Sequence, residues 1–137
     1  MKRIVSALWV LLLIGCQATT NEKVDLKTLK DEVFDIHDAV MPKMGDLRRV
    51  RKDLVLKADS IQEFNQEKAQ SLTKASDQIA AANESMMDWM RNFNPDFEGT
   101  YQEVLDYLNE QKAGITKVRD DMEAALKEGK EIIEKDL

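Results

Sequence analysis

The apolar residues of this chain recur every three or four positions over most of its length, and that rhythm leaves few folds open. Leu26, Leu29, Val33, Ile36, Val40, Leu47, Val50 and Leu54 keep it in a first stretch. Ile61, Phe64, Leu72, Ala75, Ile79, Ala82, Met86, Trp89 and Phe93 keep it in a second. Tyr101, Val104, Leu108, Ile115, Val118, Met122, Leu126 and Ile133 keep it in a third. A period near 3.6 gathers each set on one side of an α-helix, whereas a strand would need strict alternation. Five glycines and two prolines are all that interrupt 137 residues, which again favours long helices.

The breaks in the rhythm divide the chain. Pro42 lacks an N–H and its ring clashes with the Asp38 carbonyl, so the first helix should kink or break between residues 38 and 45. Ser60 and Glu63 have capping-box spacing and place the first turn near Ala58-Asp59, with a turn near residue 65 as the alternative. Asn94-Pro95-Asp96 and Gly99 mark a second turn, and Thr100 with Glu103 forms a capping box that opens the third helix. Gly114 and Gly129 weaken that helix by about 1 kcal/mol each. Three helices of similar length with short connections imply an all-α fold over residues 24–137. The expected form is an antiparallel up-down-up bundle or coiled coil, its first helix kinked near Pro42.

The segment ahead of the helices has a different character. Lys2 and Arg3 precede the apolar run Ile4 to Ile14. That run is shorter than the about 20 residues of a spanning helix, and suits a cleavable signal peptide. It ends in Leu13-Ile14-Gly15-Cys16, which resembles the lipobox of bacterial type II signal peptides. The resemblance implies that residues 1–15 are removed. The Cys16 thiol then carries a diacylglycerol and its freed amine an N-acyl chain. At ~0.8 kcal/mol per buried CH₂, several such chains anchor a protein permanently. Gln17, in place of an aspartate after the cysteine, implies sorting to the outer membrane, with the domain expected to face the periplasm. Residues 16–23 then read as the lipidated cysteine and a polar tether.

Charge and residue inventory narrow the function. The formal charge of −6 becomes −8 once Lys2 and Arg3 are removed, which argues against nucleic acid as a partner. The expected partners are the lipid bilayer through Cys16, an envelope protein, and further copies of the chain through exposed heptad positions. One cysteine leaves no internal disulfide. One histidine, no glycine-rich phosphate loop and no serine-nucleophile motif argue against an enzyme. Arg48, Arg49, Arg51 and Lys52 form a basic run without interleaved aromatics. Such a run is either a solvated face paired with acidic neighbours or a docking patch for lipid headgroups or an acidic protein.

Histidine and methionine are unevenly placed. His37, Met41 and Met44 stand at i, i+4 and i+7, and Met86, Met87 and Met90 surround Trp89. Thioether and imidazole donors together suit Cu(I). Methionine packing against aromatic rings explains the same residues without a metal. A first turn near residue 59 sets His37 opposite residue 81, and one near residue 65 sets it opposite residue 93. A site using both clusters therefore needs the later turn. In residue types the set resembles the ligands of small periplasmic copper chaperones, although those are β-barrels with another order and spacing.

The segments His37-Asp38-Ala39-Val40-Met41-Pro42-Lys43-Met44-Gly45 and Met86-Met87-Asp88-Trp89-Met90 are similar to those of small helical bacterial lipoproteins. Some of these are labelled viral A-type inclusion proteins. The label reflects generic coiled-coil similarity and implies no viral role, and the resemblance brings no established activity with it. A different lipoprotein tethers the outer membrane to peptidoglycan through a terminal lysine, and the ending Glu134-Lys135-Asp136-Leu137 lacks it. The leading expectation is a membrane-anchored, non-enzymatic interaction or structural helical module. The alternative is a soft-metal protein that binds or buffers Cu(I).

Overall fold

The computed structural model describes residues 18–135, with side chains from Asp25 onward; the signal segment and Cys16 lie outside the described residues. Four helices follow one another: α1 (Ala18–Val40), α2 (Lys43–Ile61), α3 (Gln66–Asn92) and α4 (Tyr101–Glu134). No strand occurs among the described residues.

Helices α1 and α2 form one bent arm. Pro42 has no N–H to give to Asp38, and the chain makes a two-residue turn at Met41-Pro42. Tighter bonds take over there: the Met44 N–H donates to the Met41 carbonyl at 3.1 Å and the Gly45 N–H to the Pro42 carbonyl at 3.3 Å. The arm bends by 34°, as the proline led us to expect. Its other end differs from expectation, because α1 reaches back to Ala18, into the stretch read as a tether. Residues 18–23 contain neither glycine nor proline, so nothing local stops the helix from extending.

The arm runs up, α3 runs down beside α2, and α4 runs up again in contact with both halves of the arm and with α3. Two ion pairs record the parallel course of arm and α4. Lys112 meets Glu32 at 2.6 Å and Lys43 meets Glu123, and both pairs are 80 residues apart in sequence. The core between the three rods holds Val33, Val40, Leu47, Leu54, Leu72, Ile79, Met86, Ile115 and Met122, all fully buried. Burying each such side chain contributes about 1.5–3 kcal/mol.

The first hairpin turn lies at residues 62–65, later than the Ser60–Glu63 box suggested. Helix α2 continues through Ser60, whose hydroxyl donates to the Lys57 carbonyl. It continues because Ala58 and Ile61 still have core to cover. Asn65 is the actual N-cap of α3, its side-chain oxygen accepting from the Lys68 N–H at 3.1 Å. Phe64 consequently leaves the seam on which the apolar rhythm placed it and stands 87% exposed on the turn. The second turn falls where expected. Thr100 Oγ1 accepts from the Glu103 N–H, and the Glu103 carboxylate accepts from the Thr100 N–H at 2.7 Å. The Thr100 hydroxyl also donates to that carboxylate at 2.8 Å, and the two bonds from Thr100, the backbone one first, lower the Glu103 carboxyl below its ordinary value.

Gly129 has a packing reason that its sequence position did not show. A Cβ there would lie 2.8 Å from Val50 Cγ1 and 3.0 Å from Ile79 Cδ1. The absent side chain lets α4 approach α2 and α3 closely at the upper end of the bundle.

Candidate functional site

The turn at residues 62–65 decides how the histidine and methionines meet. It sets Trp89 against His37, with ring centroids 5.7 Å apart and planes inclined by 31°. This is the register that a combined cluster requires. The methionines nevertheless divide. Met44 and Met86 are buried in the core, and Met41 and Met90 are half-buried against it. Met87 is exposed and lines a groove together with residues of α2. His37 Nδ1 lies 2.8 Å from the Asp38 carboxylate, and a neutral ring donating its Nδ1–H there keeps the lone pair on Nε2. Among the described residues, no three His, Cys, Asp or Glu side chains gather as a metal-binding group.

His37 also belongs to an aromatic cluster that periodicity did not reveal. Trp89 stacks on Phe93 at 4.8 Å, and Phe34 meets Phe93 edge-on at 5.5 Å. Phe93 faces Tyr107 at 6.4 Å, and Tyr107 stacks on Phe97 at 4.3 Å. The Tyr107 hydroxyl accepts from the Asn94 N–H at 2.7 Å, tying the second turn to α4. Each ring pair contributes about 0.5–1.5 kcal/mol beyond its burial. The signal was present in the sequence as positions symmetric about a turn, and became readable only once that turn was placed. Trp89 Nε1 and the Asn83 side-chain oxygen are buried without a hydrogen-bond partner.

The basic run has a definite place. Arg49 pairs with Asp46 one turn earlier on the same helix. Arg48, Arg51 and Lys52 have no ion-pair partner among the described residues and edge an open groove of about 620 Å³ between α2 and α3. Expectation had allowed all four to be paired with acidic neighbours on the other helices; only Arg49 is paired, and its partner Asp46 lies on α2 itself. Val55, Leu56 and Met87 supply an apolar floor, 38%, 57% and 39% exposed respectively. The α3 edge is acidic. Glu84 accepts from Arg91 at 2.6 Å and Asp88 accepts from the same guanidinium. These bonds, Glu84 first, raise the Arg91 guanidinium above its ordinary value. The groove therefore combines apolar surface with one cationic and one anionic edge.

No helix among the described residues is long and apolar enough to cross a membrane. No family model matches the chain, and neither a curated protein nor a solved structure matches it.

Proposed function

We propose that this chain is a lipid-anchored envelope protein whose helical bundle is a non-enzymatic interaction module, with the α2–α3 groove as its docking face. The anchor is the acylated Cys16, placed in the outer membrane with the bundle in the periplasm. The observation that carries the docking reading is the trio Arg48, Arg51 and Lys52 beside exposed Val55, Leu56 and Met87. Three unpaired cations around an apolar floor, in a chain whose mature charge is −8, select an anionic amphipathic surface. The anchor is tested by labelling cells with a fatty-acid probe and comparing the chain with a Cys16→Ala variant. Loss of label and retention of the signal segment in the variant are expected. An unlabelled wild-type chain refutes the lipoprotein reading.

One observation favours a second reading, in which the bundle holds Cu(I). His37 Nε2 carries a lone pair, and the later turn brings the α3 methionines to its level. His37, Met41 and Met90 are then the ligands, because Met44 and Met86 are enclosed in the core and Met87 belongs to the groove. Anaerobic competition against a chromophoric Cu(I) chelator tests it with His37→Ala and Met90→Leu. Binding weakened by both substitutions supports the metal reading, and no competition by the wild-type chain removes it.

A further inference from the structure

The two edges of the groove carry opposite charge. On α2, Arg48, Arg51 and Lys52 precede Val55 and Leu56 by one to two turns. On α3, Glu84 and Met87 line the groove, and Asp77 stands one turn before Ala80 of the same lining; Glu84 and Asp88 share the single cation Arg91, so with Asp77 this edge keeps a net negative charge. A face that is basic along one helix, acidic along the next and apolar between them is complementary to itself under a two-fold rotation. From this arrangement we propose that the occupant of the groove is a second copy of this chain. The proposal rests on the docking reading given above and names the partner it left open.

The charges also select the symmetry axis. A two-fold axis parallel to the bundle lays α2 of one copy over α3 of the other. Arg48, Arg51 and Lys52 then face Asp77 and Glu84 of the second copy in both halves of the interface. An axis across the bundle would lay α2 over α2, and the same three cations would confront their own copies. Like-charge juxtaposition of that kind is strongly disfavoured.

The parallel axis also leaves both N-termini at the same end, as two anchors in one membrane require. Ala18 begins α1, and Arg48 lies 30 residues further along the arm, which is about 45 Å at 1.5 Å per residue. In an upright bundle the groove thus stands well clear of headgroups at its own foot. That favours a neighbouring bundle over lipid as the anionic surface. The product is a four-helix layer of α2, α3 and their copies, with Val55 and Leu56 towards its turn end and Met87 towards the other.

The test uses the full-length chain in cells, with a photoreactive residue in place of Leu56 and, as a control, in place of exposed Lys127 on α4. Illumination is expected to give a dimer from position 56 and none from position 127. Arg51→Glu with Lys52→Glu places acid against acid, and should lower the dimer yield by more than about tenfold. Asp77→Lys with Glu84→Lys should do the same by placing base against base. Co-expression of the two charge-reversed chains restores opposite charges in both halves of the interface, and should restore the cross-link between them. That rescue shows that neither variant failed merely by unfolding. A dimer from position 127 alone, indifference to both reversals, or failure of the mixed pair to cross-link overturns the proposal. Cross-linking of position 56 to a different polypeptide overturns self-pairing and leaves the docking reading standing. No cross-link at position 56 to any polypeptide overturns both.

Discussion

Replacing Gly114 and Gly129 by alanine, one at a time, separates helix propensity from packing within a single helix. Both residues are interior to α4, so both substitutions gain about 1 kcal/mol of intrinsic helix stability. At Gly114 the new Cβ would sit 3.5 Å from Trp89 Cδ1 and 3.6 Å from its Nε1, ordinary contact distances that require no movement. Gly114→Ala should therefore stabilise the bundle by about 1 kcal/mol. At Gly129 the Cβ would meet Val50 Cγ1 at 2.8 Å, Ile79 Cδ1 at 3.0 Å and Leu54 Cδ1 at 3.3 Å. Leu54 and Ile79 are fully buried and Val50 nearly so, which leaves little room for them to move aside. Overpacking of a filled core costs about 1–3 kcal/mol, so the net change at Gly129 is a loss of about 0–2 kcal/mol. The two variants should then differ by roughly 1–3 kcal/mol, or several degrees in Tm for a domain of this size. Urea and thermal unfolding followed by far-UV circular dichroism measure the difference without relying on Trp89, which touches one of the sites. If Gly129→Ala is stabilised as much as Gly114→Ala, the close approach of α4 to α2 and α3 is wrong.

Further outcomes follow from the core, the cap, the turn and the aromatic cluster. Met86→Ala removes a fully buried side chain and should cost about 2–5 kcal/mol in denaturant unfolding. Phe64→Ser should change stability by less than about 0.5 kcal/mol, because the ring is almost wholly exposed; a larger loss would put Phe64 back in the core. Thr100→Ala should cost about 1 kcal/mol through loss of the α4 N-cap. The Glu103 carboxyl is held below its ordinary value in the folded chain, so its contribution is fully present above the ordinary carboxylate range. That contribution is lost as pH falls through the lowered value. The stability difference between the wild-type chain and Glu103→Gln should accordingly shrink on acidification, and a difference that grows would refute the sign. Tyr107→Phe removes the acceptor of the Asn94 N–H, and hydrogen exchange at that amide should accelerate while the rest of α4 is unaffected.

Much of the architecture was legible in residue order because it depends on interactions between near neighbours. The three-four rhythm requires helices, since that spacing aligns side chains within a single rod. Pro42 bends the arm and the Thr100–Glu103 box opens α4 because a missing N–H and a reciprocal cap act within a few residues. The first turn was harder to place. Ser60 and Glu63 have the spacing of a cap, but Ala58 and Ile61 gain more by remaining helical over the core, and Asn65 caps α3 instead. That shift of a few residues moved Phe64 into solvent and brought Trp89 to His37.

Register between rods was decided only by the tertiary structure. The aromatic cluster unites Phe34 and His37 with Trp89 and Phe93, and with Tyr107 beyond the second turn. Its members are far apart in sequence and have no local signature. The same holds for the splitting of the methionines between core and groove, and for Gly129, whose value lies in the side chains of two other helices. The basic run was visible as composition, yet its pairing was not. An ion pair depends on which acid the neighbouring helix presents at that height, and α3 presents Glu84 and Asp88 to its own Arg91. Local chemistry thus determined the helices, the bend at Pro42 and the cap of α4, while the packing of one rod against another placed the first turn and decided which side chains were left to meet a partner.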